Sequence, residues 1–187
     1  MGLVESYHIL QDKAKVMHAI HESINIKNKI GSKEEYFDIM VEFKAVMNEE
    51  NVNVDDAIKR MDALIVQFEA AIKIPAPQRR QFIININNHK KNIYYHHGRK
   101  EDALKVLEEQ LKRTSQLEVQ YQMSLINVHQ DMAMIYSDLG QYDQAVHHCD
   151  VLLELVKKSL NKNHSASSVY AFGWQIRETA LKKKELA

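Results

Sequence analysis

Glycine and proline are scarce, five and two in 187 residues. Average usage would be about 7% and 5%. A β-sandwich needs turn-formers about every 8–12 residues, so that architecture is excluded. Cys149 is the single cysteine, which excludes an intrachain disulfide and fits a reducing compartment. Neither sign of charge dominates, with 25 basic and 25 acidic side chains, so the broad positive field of nucleic-acid binders is absent. No run of about 18 apolar residues exists, and no membrane span is expected. Hydrophobic residues make up 45% at zero net charge, which argues against a disordered chain. What these absences leave is a single domain, 1–187, of long helices, expected in the cytoplasm. Met1–Ser6 fits an acylation pattern, but no polybasic patch follows it. The chain starts inside a helical pattern with no cap before it, as a C-terminal fragment of a longer protein would.

Apolar residues recur every three or four positions through Leu3, Tyr7, Leu10, Ala14, Met17, His21 and Ile24. This predicts a leading helix over 1–31 closed by Gly31. Ser32 and Glu35 form a capping box for a second helix. A third runs from Asp55 to Lys73, with Ala57, Ile58, Met61, Leu64, Ile65, Phe68 and Ile72 inward and Pro75 stopping it. Helices over 78–97, 101–114, 117–139 and 142–160 follow, with Gly98 and Gly140 at the turn inside each pair. A last helix covers 165–184.

Shifting the chain by 42 residues aligns the two pairs. Ile86 falls on Val128, Ile93 on Ile135, Tyr94 on Tyr136, Gly98 on Gly140, Ala103 on Ala145, Leu107 on Cys149 and Leu111 on Leu153. The glycine permits a tight turn, and the alanine lets the second helix approach the first. A pair of this kind cannot bury its face alone and stacks on neighbours. One further period places Tyr170, Trp174 and Leu181 on core positions.

Ile135-Tyr136-Ser137-Asp138-Leu139-Gly140-Gln141-Tyr142-Asp143-Gln144-Ala145 resembles the tetratricopeptide repeat, and Ile93 to Leu104 resembles a second copy, with Lys100 in place of the second tyrosine. Val54–Leu64 is similar to the second helix of a degenerate copy. The family's repeat is 34 residues, so these hairpins are longer by about two helical turns. The resemblance implies an all-α, right-handed solenoid of about seven to eight antiparallel helices. Its parts would be a leading helix 1–31, a degenerate repeat 33–73, repeats 78–115 and 117–160, and a capping helix 165–184.

In such a solenoid the first helix of each pair lines the concave face. The exposed stripe there reads Gln81, Asn85, Asn88, Asn92 and Tyr95, then Gln120, Met123, Asn127, Gln130, Met134 and Ser137, then Val169, Phe172 and Ile176. Asparagine costs a helix up to roughly 0.7 kcal/mol against alanine, yet Asn85, Asn87, Asn88 and Asn92 crowd into eight residues. A carboxamide both donates and accepts, and so can pair with an extended peptide backbone. The bland alternative is a solvated face. Val169, Phe172 and Ile176 add a second apolar stripe, readable as a floor for a ligand side chain, as a homodimer contact or as packing against further sequence.

Elongated repeats with an amide-lined face are similar to the sensor domains of bacterial peptide-pheromone regulators of the Rap, Rgg and PlcR type. That resemblance implies recognition of a short linear peptide through asparagines, in transcription regulation or signalling. The sequence has no glycine-rich phosphate loop, serine nucleophile elbow or paired catalytic carboxylates, so neither catalysis nor a cofactor is expected. The rival readings are a generic scaffold for a partner protein and an oligomerisation module driven by the Leu3–Ile24 stripe. Metal binding is not expected. His18 and His21 lack a third ligand, and His96-His97 and His147-His148-Cys149 are sequence neighbours whose side chains diverge on a helix. Cys149 sits on a repeat core position and reads as a small buried hydrophobe.

Overall fold

The computed structural model describes residues 42–44, 46, 53–114, 122–159 and 166–186. Among them there is no strand. The helices are α1 (Val54–Ala70), α2 (Ala76–His96), α3 (Lys100–Thr114), α4 (Gln122–Asp138), α5 (Tyr142–Ser159) and α6 (Ala166–Glu185). The expected leading helix, the Ser32–Glu35 cap, His18, His21, Gln120 and the loop 161–165 lie outside the described residues. Two compact units divide within α2, one ending at Lys90 and the other beginning at Lys91. No described helix is long and apolar enough to cross a membrane.

In the first unit, the Asn53 side chain accepts the Asp56 amide at 3.2 Å and caps α1. Asp55 and Asp56 in its first turn suit the positive end of the helix dipole. Ala57, Ile58, Met61, Leu64 and Phe68 are buried, and Phe68 stacks on Phe82 with ring centroids 4.9 Å apart. Lys90 is buried and ion-pairs with Asp62. The helix ends at Ala70, short of the expected Lys73. Past that point the 3.6-residue register no longer applies, so Ile72 turns outward, 84% exposed, and Ile74 is buried in its place. The Arg79 guanidinium donates to the Ala71 carbonyl at 3.1 Å across this turn. Pro77 falls in the first turn of α2, where a missing amide hydrogen leaves no helical bond unmade.

In the second unit, Gly98 and Gly140 both adopt left-handed backbone, φ 75° and 73°. The Arg99 amide donates to the Tyr94 carbonyl and the Gly98 amide to that of Tyr95. The Gln141 amide donates to Tyr136 and the Gly140 amide to Ser137 in the same pattern. Both turns are therefore Schellman motifs, which satisfy carbonyls that the helix end leaves open. Ala103 and Ala145, five residues beyond each glycine, are both 0% exposed. Ala103, Leu104, Leu107, Val128, Met132 and Ile135 form one core cluster. Ile126, Leu152, Leu153 and Val156 form another.

Helix directions follow from named contacts. The Gln122 side chain donates to the Leu155 carbonyl, and His129 meets His148, so α4 and α5 run antiparallel. Asp143 pairs with Lys184 and Asp150 with Arg177, so α5 and α6 are antiparallel too. Hence α4 and α6 run the same way. The end of α2 also runs parallel to α4, tied by Lys91–Asp131 at 2.8 Å and Tyr95–Asp138 at 2.7 Å.

The last helix departs from the expected register. Trp174 is 43% exposed, with the Arg177 guanidinium over its ring. Over 169–185 of this helix, Gly173 and Ala180 are the buried positions. A β-carbon on Gly173 would lie 2.3 Å from Leu152 Cδ2. The leucines of α5 approach α6 too closely for an indole, and the small residues decide which face turns inward.

Candidate binding cleft

The parallel course of α4 and α6 over α5 leaves a cleft of about 250 Å³ between them. Met134 from α4 and Phe172 and Ile176 from α6 line its apolar part. They come from the helical spacings i and i+4 on α6 and from the facing side of α4. Ser137, Gln175 and Thr179 supply polar groups. Asp138 closes α4, and Lys183 stands in the last turn of α6. Both helices point their carboxyl ends the same way, so acid and base sit at the same end of the cleft.

These polar groups are not equally available. The Thr179 hydroxyl donates to the Gln175 carbonyl at 2.8 Å, leaving it as an acceptor. The Asp138 carboxylate accepts the Tyr95 hydroxyl at 2.7 Å and lies 3.6 Å from Lys100 Nζ. That hydrogen bond is the chief cause of a raised Tyr95 pKa, with burial and the carboxylate charge adding to it. Lys182 reaches Glu178 and Lys184 reaches Asp143. Lys183 makes no ion pair among the described residues.

Of the residues singled out from sequence, Met134, Ser137, Phe172 and Ile176 meet in this cleft. Val169 instead packs on the Ile126–Leu152–Val156 cluster. Gln81, Asn92, Met123 and Asn127 are exposed. Asn85, Asn88 and Gln130 are half-buried, and the Gln81 amide donates to Asn85 Oδ1 at 3.2 Å. Tyr95 is half-buried against the Ala103–Ile135 cluster. Asn87, counted with the asparagine run, is 4% exposed and belongs to the interior.

A second polar feature was missed in the sequence. His129 and His148 are buried in the α4–α5 seam with their Nδ1 atoms 2.9 Å apart. Tyr136 stacks on His148 with ring centroids 5.4 Å apart and planes nearly parallel, and His147 meets it edge-on. Burial, then the neighbouring His129 and His147, push His148 down to about 4. Burial and His147 lower His129 as well. The signal was present in the 42-residue register, where His129 falls on buried Asn87 and His148 on buried Val106. Next to the pair, burial pushes the Cys149 thiol up to about 11, which suits a packed hydrophobe rather than a nucleophile.

Among the described residues, no three His, Cys, Asp or Glu side chains converge to hold a metal ion. A scan against protein-family models finds no family that matches the chain, and a search of curated proteins finds no matching relative.

Proposed function

We propose that this chain is a non-catalytic binding module of the tetratricopeptide kind, a right-handed solenoid of helical hairpins that takes an extended peptide across α4 and α6. Its place would be the peptide-sensing part of a cytoplasmic bacterial regulator. Two Schellman turns 42 residues apart, each followed by a fully buried alanine, support the repeat. The cleft lined by Met134, Phe172 and Ile176 carries the binding reading. At about 250 Å³ it is smaller than the roughly 300–1,000 Å³ of small-molecule sites. It suits one apolar side chain of a longer ligand. The exposed carboxamides of Asn92 and Asn127 are of the type that pairs with peptide backbone.

The second reading is a scaffold for a folded partner, favoured by the half-exposed Trp174 on the other side of α6. An array of synthetic peptides, with hits titrated by calorimetry against variants, separates the two. Peptide binding in the cleft predicts that Phe172→Ala weakens hits by about tenfold or more, from lost apolar contact. Trp174→Ala would leave them unchanged. The reverse pattern supports the scaffold, and insensitivity to both variants removes the cleft as the site.

A further inference from the structure

Among the described residues, the carboxyl end of the cleft holds a cation that makes no ion pair. Asp138 is already engaged by the Tyr95 hydroxyl and by Lys100. The lysines on either side of Lys183 are committed to Glu178 and Asp143. Lys183 itself lines the cleft and makes no ion pair among the described residues. Three features therefore lie in one line along the α4–α6 groove: an apolar floor, polar groups beside it, and an ammonium at its end.

We propose that the α4–α6 cleft selects an acidic peptide segment, with an apolar side chain on the Met134–Phe172–Ile176 floor and a neighbouring carboxylate side chain paired to Lys183 Nζ. This inference rests on the peptide-binding reading of the same cleft. Charge complementarity determines the occupant. A basic segment would bring a second cation to Lys183, and the charge of Asp138 is already opposed by Lys100 at Oδ2. A neutral segment would keep the apolar contact and lose the pair. Along the two parallel helices, Thr179 of α6 follows Ile176 and precedes Lys183, and Ser137 of α4 follows Met134, so both stand where a peptide link would pass.

The test is a titration of the full chain, followed in amide NMR spectra, with three capped dipeptides: acetyl-Leu-Glu-amide, acetyl-Leu-Gln-amide and acetyl-Leu-Lys-amide. The expected result is a shift of the Ser137, Gln175 and Thr179 resonances, with Leu-Glu bound tighter than Leu-Gln by about two- to fivefold, the range of an exposed ion pair. Leu-Lys should bind weakest. Added salt should erase the Leu-Glu preference. Lys183→Gln should level Leu-Glu with Leu-Gln, whereas Lys184→Gln, whose side chain is held by Asp143, should not. Lys183 is exposed, so its replacement leaves the core intact. Equal binding of Leu-Glu and Leu-Gln to the unmodified chain would overturn the proposal while the cleft reading survives. Loss of the preference in Lys184→Gln as well would assign it to the general field of the helix end and also overturn the proposal. If no dipeptide moves the cleft resonances, both the proposal and the reading beneath it fall. Hexanoate, which has the apolar group and carboxylate without a peptide link, should bind more weakly than Leu-Glu. Tighter binding of hexanoate would identify a fatty-acid site and exclude the peptide.

Discussion

Two imidazoles that meet Nδ1 to Nδ1 at 2.9 Å, as His129 and His148 do, need one donor and one acceptor. At most one ring of the pair can therefore be protonated on both nitrogens. Unfolded histidine titrates near 6.5, while burial lowers both rings and brings His148 to about 4. Between those values the unfolded chain binds more protons, so stability should fall as pH drops from about 6.5 towards 4 and then level. The ceiling for His148 is about 3 kcal/mol. Thermal melts at pH 7.5 and 4.5 should show this loss, and His129→Leu with His148→Val should flatten the profile. An unchanged slope in that double variant would assign acid sensitivity elsewhere. The expectation that adjacent histidines diverge does not describe His147, which is exposed yet meets the buried His148 ring edge-on. The true partner lies nineteen residues away on another helix, beyond the reach of a local reading.

Gly98 and Gly140 occupy equivalent left-handed turns with open space around each α-carbon. Gly98→Ala and Gly140→Ala should each cost about 1 kcal/mol through backbone strain alone. Near-equal losses in chemical denaturation would show the two turns to be energetically equivalent, and a large disparity would count against the repeat. Gly173 is a different case. Its backbone is helical, where alanine is favoured by about 1 kcal/mol, but the added methyl would strike Leu152, itself 1% exposed. Gly173→Ala should therefore destabilise by about 1–2 kcal/mol, and in a Leu152→Ala background the same change should become neutral or favourable. The turn glycines were legible in the sequence because a helix end needs positive φ. Gly173 was not, because nothing local to a helical glycine records which leucine will press against it. The expectation that Trp174 faces inward failed for the same reason.

Over the whole molecule, the near-total burial of Ala103 and Ala145 is the test of the 42-residue period. Ala103→Leu and Ala145→Leu should each overpack by about 1–3 kcal/mol, and thermal melts that tolerate both would remove the repeat register. Asn92→Ala with Asn127→Ala should raise stability by up to about 1.4 kcal/mol while weakening any peptide held by their carboxamides. A gain in stability with unchanged affinity would mark both as solvated. Helix content, the α2–α6 segments and the alanine contacts were readable from the chain. Apolar spacing, scarce turn-formers and a repeated glycine are local or periodic constraints, and each narrows the backbone directly. The cleft was half legible: the apolar residues at 134, 172 and 176 were chosen for their helix face. That they converge, while Val169 joins the core and Lys183 stands at the groove's end, was decided by packing. Such outcomes depend on the distance and direction between helices, set by which small residue allows close approach, and a one-dimensional pattern does not specify that contact.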